Sequence, residues 1–522
     1  MKSGSRAAIA SGLLFAAAFP PLPLVVPAFV CLVPLAVAIA RAADGEGRGR
    51  DAFRMGAWFS VVGCGLNLYW IAIALSLFTW LASLGYVATI FGLSVEIGVA
   101  TLVLFVARRL TRWPLAALLP IVWVASELGM LHLGDFAFPW LPLGLAVARL
   151  PVAAQIADLS GVHGVSVWIA ATNGLLADAW MRRERRYAVA GRLAVVGAAA
   201  VAVCAYGAWR LRTTELVPLA RVTAVQPNIS EDEKMQKAIG GRFIGILARL
   251  TRTAEENGSG EPQLVVWPET ALPGYLTNNS DWVDSLRVLT TAHHVPILFG
   301  VLDYEILGAN PRDYDYFNAA MLADTLGRTG TQPAYRKRYL VPIVERVPLV
   351  NPRWFSGLKY FGGFGRGGAP IAFHLPFGSA GVMICYESIF PDLARTYRRA
   401  GADLLLNITN DAWFARTSAP YQHESHLRLR AIETRAGVVR AANTGISEYI
   451  DPLGRPHGAT GLFVSAVPTF DVATTHVRTL YVEWGDWAGT ACAIAALVLA
   501  AVGTIRARRA PPARSTPRDR AP

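Results

Sequence analysis

The chain has 522 residues, of which 53% are hydrophobic and only 16% charged, and its formal net charge is +12. That length leaves room for two regions rather than one ordinary domain. The excess charge is gathered in short arginine clusters beside apolar runs, which is a membrane-topology signature and not the basic face of a nucleic-acid-binding protein, so no nucleic-acid partner is expected.

Apolar runs of about 20 residues are long enough to cross a hydrocarbon core as helices. Seven such runs come first, at roughly 7–22, 24–41, 55–76, 83–107, 114–132, 162–180 and 193–210, and an eighth lies near 487–505. The first is short and punctuated by Pro20, Pro21 and Pro23. The second follows at once with no small-residue cleavage site, so an uncleaved helix is expected there. With Lys2 and Arg6 in the cytoplasm, four basic segments fall inside: 42–54, Arg108/Arg109/Arg112, Arg182/Arg183/Arg185/Arg186 and the tail from Arg506. The alternate segments, 77–82 and 133–161, hold almost no Lys or Arg, Arg149 excepted. One orientation satisfies every cluster. It puts both termini in the cytoplasm of a bacterial inner membrane and the stretch between runs seven and eight in the periplasm. The expected organisation is a seven-helix membrane region over 1–213, a globular domain over 214–480, a last membrane helix over 481–506 and a basic, disordered tail over 507–522.

Within the globular stretch, short apolar strands alternate with helical segments, an α/β pattern. Strands are predicted at Val222–Gln226, Leu264–Trp267, Ile297–Val301, Gly381–Cys385 and Leu404–Ile408, and a helix over His423–Arg440. Of the five cysteines, Cys31, Cys64, Cys204 and Cys492 lie in apolar runs, which leaves Cys385 alone in the globular domain. A lone cysteine is more often a small buried hydrophobe than a nucleophile. Its neighbours shift that balance.

Three segments carry charge where a packed core would not want it. Leu264-Val265-Val266-Trp267-Pro268-Glu269 is an apolar strand whose proline leaves the ladder and whose tip is a carboxylate. Lys337 lies in Tyr335-Arg336-Lys337-Arg338-Tyr339-Leu340-Val341-Pro342-Ile343-Val344-Glu345, and Gly381-Val382-Met383-Ile384-Cys385-Tyr386-Glu387 is a second apolar strand ending on the thiol. Ligand sites of α/β sheets collect at the carboxyl ends of strands. Acyl transfer through a thioester needs these residue types: a carboxylate to take the thiol proton and return it to the leaving group, and a cation to stabilise the oxyanion. The only tight histidine pair, His293-His294, reads as a solvated loop rather than a zinc ligand set, so neither a metal nor a cofactor is expected.

Trp267-Pro268-Glu269, Lys337-x-x-Leu340-Val341-Pro342-x-x-Glu345 and Cys385-Tyr386-Glu387 resemble the nitrilase superfamily, and more narrowly its membrane-anchored branch, the apolipoprotein N-acyltransferases. Asn410-Asp411-Ala412-Trp413-Phe414, Pro420-Tyr421-Gln422-His423, Arg430-Ala431-Ile432-Glu433 and Asn443-Thr444-Gly445-Ile446-Ser447 extend the likeness in order. The resemblance implies an α-helical membrane bundle of about eight transmembrane helices joined to an α-β-β-α sandwich. It implies a ping-pong reaction. Cys385 takes the sn-1 acyl chain of a phospholipid, usually phosphatidylethanolamine, and passes it to the α-amino group of a diacylglyceryl-cysteine apolipoprotein. Glu269, Lys337 and Cys385 match the family's triad, Glu345 and Glu387 its auxiliary carboxylates, and Tyr386 the neighbour of its nucleophile. Two other readings remain at this stage. One is a membrane-tethered amidase with water as acceptor. The other is a transporter or scaffold, which would need more ionisable residues in the spans than Glu96, Glu127 and Asp178.

The chain departs from the pattern in places. Ile343 and Val344 stand where Phe-Gly is usual, Met235 where a tryptophan is frequent, and Ala415 and Ala419 where glycines are. The aromatic, glycine-rich stretch with Trp354, Phe355, Tyr360, Phe361 and Phe364 reads as a mobile lid resting on the membrane surface, since aromatic rings favour the interface and glycines permit hinging. Phe136, Phe138, Pro139 and Trp140 of the outer loop 133–161 are candidates for the wall facing it.

Overall fold

The computed structural model describes residues 3–22, 24–76, 82–235, 240–256, 261–309, 313–349 and 363–509. The first part is helical: α1 Ser3–Ala17, α2 Val33–Asp44, α3 Gly49–Asn67, α4 Trp70–Ser76, α5 Ala82–Thr111, α6 Leu115–Leu131, α7 Pro151–Ala154, α8 Ala157–Met181 and α9 Arg186–Thr213. Helices occupy every apolar run with shifted ends. Among the described residues, four segments are long and apolar enough to cross a membrane: Val26–Asp44, Ser83–Thr111, Arg186–Thr213 and Trp487–Ile505. The pair α3 and α4, bent by 58°, makes a fifth, and α6 is a shorter apolar helix.

That bend corrects one expectation, since run 55–76 is not a single straight span. The Asn67 carbonyl released at the break accepts from Ser418 Oγ and Gln422 Nε2, each at 3.4 Å. Asn67 and Leu68 at the break are buried, so the backbone group it frees finds its partners within the protein. A second break lies in α8, where Ser160 and Gly161 leave the helical region. The freed Val162 N–H donates to Glu433 Oε1 at 2.8 Å.

The helices run between two chemically different ends. At one, Arg108 and Arg112 both pair with Asp44 at 2.7 Å, and Asp178 accepts from Leu115 and Ala116 at 3.2 and 3.1 Å. At the other, the Pro20 carbonyl, the Asn67 carbonyl and the Trp70 indole all meet Gln422.

The second part comprises β1 Val217–Ala224, α10 Glu231–Met235, α11 Gly240–Glu256, β2 Leu264–Val266, β3 Leu272–Tyr275, α12 Ser280–His293, β4 Ile297–Ile306, β5 Tyr314–Ala323, β6 Tyr335–Arg336, β7 Ala372–Leu375, β8 Gly378–Ile384, α13 Pro391–Arg399, β9 Leu404–Thr409, α14 Ala419–Thr434, β10 Gly437–Ala442, β11 Glu448–Ile450, β12 Pro456–His457 and β13 Thr469–Thr474, then α15 Leu480–Trp484 and α16 Trp487–Arg509. Two sheets form, ordered β13-β1-β2-β4-β5-β6 with β3 on β4, and β12-β11-β10-β9-β8-β7. Successive strand residues face opposite sides. Leu264, Val266 and Leu298 therefore pack against Val382, Leu404 and Val438 of the facing sheet, while Val265, Ile297 and Phe299 pack outward against Leu247 of α11 and Leu286 of α12. With Leu393 of α13 and Leu427 of α14 closing the other face, the order is α-β-β-α.

The helix expected over His423–Arg440 is the other correction. α14 stops at Thr434, Arg435 turns left-handed at φ 52°, and Val438 and Val439 belong to β10. The run Gly437–Ala442 is buried throughout, and a short buried apolar run has no period that separates strand from helix.

One core joins the two parts. Tyr386, Ile389, Phe390, Ala419, Leu429 and Ile432 pack in the same apolar cluster as helices α1 to α8. The segment that follows β8 and one face of α14 therefore rest on the helical bundle.

Candidate active site

Glu269 lies three residues past β2. Pro268 ends that strand, and Thr270 turns at φ 48°. Gly300 on β4 lets this turn lie flat, because a Cβ there would come within 2.5 Å of the Pro268 oxygen and 2.6 Å of the Thr270 nitrogen. Lys337 follows β6 directly, its N–H donating to the Asn318 carbonyl at 2.8 Å. Cys385 follows β8 at φ 51°, a left-handed conformation that costs a non-glycine residue on the order of 1–3 kcal/mol. The fold holds it there. The His423 Nε2–H donates to the Cys385 carbonyl at 3.0 Å, and His423 is itself gripped by Asp411 and Arg440, each 3.2 Å from Nδ1.

These elements bring a buried charge cluster together. The Lys337 ammonium, 1% exposed, lies 3.2 Å from Glu269 Oε1 and 2.9 Å from Glu345 Oε1. Asn318 Nδ2 donates to the same two oxygens at 2.7 and 3.1 Å. Glu269 Oε2 accepts from the Asn410 N–H at 2.9 Å, and Glu345 Oε2 from the Val341 N–H at 2.8 Å. Every oxygen of both carboxylates is therefore aimed. The loop carrying Glu345 achieves this without the usual glycine, but Ile343 is forced to φ 71°.

Electrostatics assigns the resting protons. Burial and the Glu269 charge push the Cys385 thiol up, and Lys337 only partly offsets them. The sulfur therefore rests protonated and needs a base. Burial works against the Lys337 charge, but Glu269 and Glu345 outweigh it and raise the ammonium above its ordinary value, so it stays cationic. Burial would also raise the Asp411 carboxyl, yet Arg440 and His423 hold it well below the usual range.

The two residues beside the cysteine do different work. Glu387 accepts from Ile384 N, Arg338 N and Tyr335 Oη at 2.7, 2.7 and 2.8 Å. It thereby ties the end of the cysteine strand to the segment bearing Lys337. Burial pushes this carboxyl up to about 7. Tyr386 Oη donates to the Ala137 carbonyl at 2.7 Å, and its ring stacks on Phe138 and Trp140 at 6.3 and 6.4 Å.

The cluster opens into a cavity of about 950 Å³. Its polar end holds Glu269, Lys337, Glu345 and Cys385. Its other arm runs between α4 and α5 past Ile71, Leu75, Gly92 and Leu93 to Glu96 and Met130. Leu133, Phe136, Phe138 and Trp140 of the loop 133–161 also line it. Of the expected lid residues, Phe364 lines the cavity with its ring 4.7 Å from Tyr316. Trp354, Phe355, Tyr360 and Phe361 lie outside the described residues, as does the side chain of Met235.

Sequence reasoning assigned no part to Asn318, Lys234 or the His423–Asp411–Arg440 brace. A polar Asn318 in the otherwise apolar run 316–321 was one available signal, and Asp411 and His423 stood in motifs that carry the resemblance. The three carboxylates noted in the apolar runs each have a local partner. Glu96 accepts from Ser126 at 2.6 Å, Glu127 from the Trp123 indole and Leu143 N at 2.8 and 2.7 Å, and Asp178 caps α6.

Known proteins match both parts. The Carbon-nitrogen hydrolase family matches residues 221–478, and the Apolipoprotein N-acyltransferase N-terminal domain matches residues 11–175. The apolipoprotein N-acyltransferase of Geobacter metallireducens is 33% identical over 95% of this chain and 94% of its own length. That of Chlorobaculum tepidum is 32% identical over 95% and 96%, and that of Allorhizobium ampelinum 33% over 95% and 96%. Since these likenesses run through the bundle and the sandwich without a break, the chain belongs to the apolipoprotein N-acyltransferase family.

Proposed function

We propose that this chain moves an acyl chain from a membrane phospholipid, through a thioester on Cys385, to the N-terminal α-amino group of a diacylglyceryl-cysteine lipoprotein. One observation carries the reading: a single cavity joins the Glu–Lys–Cys cluster to apolar helix faces. A soluble amide has no use for that arm, and two lipid substrates do.

In the first half-reaction Glu269 takes the Cys385 proton and the sulfur attacks the sn-1 ester carbonyl. Lys337 Nζ stabilises the oxyanion. Glu269 then returns the proton to the glycerol oxygen as the C–O bond breaks, and the lysophospholipid leaves. In the second, the lipoprotein amine attacks the thioester, its proton passes to Glu269, and the sulfur leaves and is reprotonated. Glu345, Asn318 and Asn410 aim Glu269 and Lys337. Phosphatidylethanolamine is the expected donor.

The separation of the two bundle ends supports the orientation read from the arginines. The Asp44–Arg108–Arg112 end would face the cytoplasm, and the α14 end the periplasm. Eight crossings, with 1–213 and 481–506 in the membrane, 214–480 outside and 507–522 inside, complete the proposed arrangement. Mass spectrometry of the purified protein incubated with phospholipid tests the reaction. An acyl adduct on Cys385, lost on adding a diacylglyceryl-cysteine peptide and missing in Cys385→Ala, is expected. An adduct on another residue, or none, overturns it.

A further inference from the structure

A ping-pong enzyme with one cavity must admit two lipids, and they differ in one charge. The donor carries a phosphodiester next to its glycerol, whereas the diacylglyceryl-cysteine acceptor has none. The cavity is hostile to that anion, since Glu231, Glu269, Glu345 and Glu96 all line it. Among the described lining residues the amines are Lys234 and Lys337. Lys337 is consumed by two carboxylates. Lys234, half-buried on α10, makes only a long 3.5 Å hydrogen bond from Nζ to the Glu269 carbonyl and no ion pair among the described residues. Burying an ammonium without a close counterion is unfavourable, and burial lowers its proton affinity despite Glu231 and Glu269. An amine that lines the cavity with no ion pair among the described residues suits a ligand that supplies an anion.

We infer that Lys234 binds the phosphodiester of the donor phospholipid and so selects the donor over the acceptor for the first half-reaction. Because Lys234 Nζ rests against the backbone of the residue that bears the base, a phosphate held there keeps the neighbouring sn-1 ester near Cys385. Once the lysophospholipid leaves, the lysine has no partner on the acceptor. This inference rests on the acyl-transfer reading above and adds the recognition of its first substrate.

The test uses the full-length protein in detergent micelles and compares wild type, Lys234→Met and Lys234→Arg. Acylation of Cys385 is followed with phosphatidylethanolamine and with a p-nitrophenyl acyl ester, which lacks phosphate. In Lys234→Met the KM for the phospholipid should rise about tenfold or more, as for loss of a charge-assisted hydrogen bond. Acylation by the p-nitrophenyl ester should keep its wild-type rate, Lys234→Arg should restore most of the phospholipid affinity, and preloaded enzyme should pass its acyl chain to the acceptor peptide as wild type does. Equal losses with both donors would make Lys234 part of the chemistry and overturn the inference, and so would no loss with either. Competition by inorganic phosphate against the phospholipid would assign the lysine to free phosphate instead. If wild-type Cys385 is acylated by neither donor, the acyl-transfer reading falls before the lysine is tested.

Discussion

Two buried charge clusters in this molecule use the same residue types to opposite ends. At the cavity, Glu269, Lys337 and Glu345 surround one ammonium with two carboxylates, beside a thiol. At the seam between α8 and α14, Asp158 is gripped by Arg435 and Arg210 at 2.6 and 2.7 Å and by Tyr206 Oη at 2.7 Å. There too the Arg430–Glu433 pair closes at 2.8 Å. Neither Asp158 nor Arg435 lines the cavity. A closed cluster spends each charge on another part of the chain and joins domains. An open one leaves a group facing empty space and can act on a substrate.

Substitutions should separate these roles. Glu269→Gln removes the proposed base, so acyl transfer per folded molecule should fall by about 10²–10⁴-fold, the usual worth of a general acid–base group. The melting temperature should stay near wild type. If the variant keeps its turnover, the carboxylate is not the base and the open cluster loses its chemical meaning. Arg435→Met should do the reverse. It takes one of two arginines from buried Asp158 and leaves Arg210 and Tyr206 in place, so the loss should stay below the roughly 3–5 kcal/mol of a fully unpaired buried charge yet lower yield and melting temperature, while the molecules that fold still acylate Cys385. A variant that is stable yet inactive would mean the seam reports to the site.

How far each cluster could be read from the sequence follows from its construction. Glu269 and Cys385 were visible because each ends an apolar strand, and local pattern marks such tips. Asp158, Arg210 and Arg435 were invisible as a set, because they are far apart in the chain and meet only when α8, α9 and α14 pack. The α14 boundary was lost for another physical reason. His423–Arg440 is nearly all buried, so no polar face showed where helix gives way to strand. The bend after Asn67 was hidden because its partners Ser418 and Gln422 belong to the other domain.

Glu387 lies between the two types, since it is closed like the seam yet belongs to the site. Burial raises its carboxyl to about 7, against roughly 4.3 for a free glutamate. Between those values the folded chain holds more protons than the unfolded one, so this stability is complete at low pH and lost as pH rises through about 7. The swing is on the order of 3 kcal/mol. Glu387→Gln has no such proton, so its melting temperature should vary less than that of wild type between pH 5 and pH 8. Parallel profiles for the two proteins would remove Glu387 as the source.

The smallest effect concerns strain near the open cluster. Ala415 replaces a glycine of the family pattern yet adopts φ 48° and ψ −152°, a region that L side chains rarely occupy and that costs on the order of 1–3 kcal/mol. Ala415→Gly should relieve that strain while losing about 0.4–1 kcal/mol through the freer unfolded chain. The net is a gain of about 1 kcal/mol, a rise of roughly 2 °C in melting temperature. Strain at a turn following the cavity residues Trp413 and Phe414 can instead be part of how they are aimed, and the two cases are separable. If Ala415→Gly is stabilised with unchanged acyl transfer, the alanine is a tolerated departure from the family. If it is stabilised and slower, the turn stores strain that holds the cavity wall, and the open cluster extends past its charged residues.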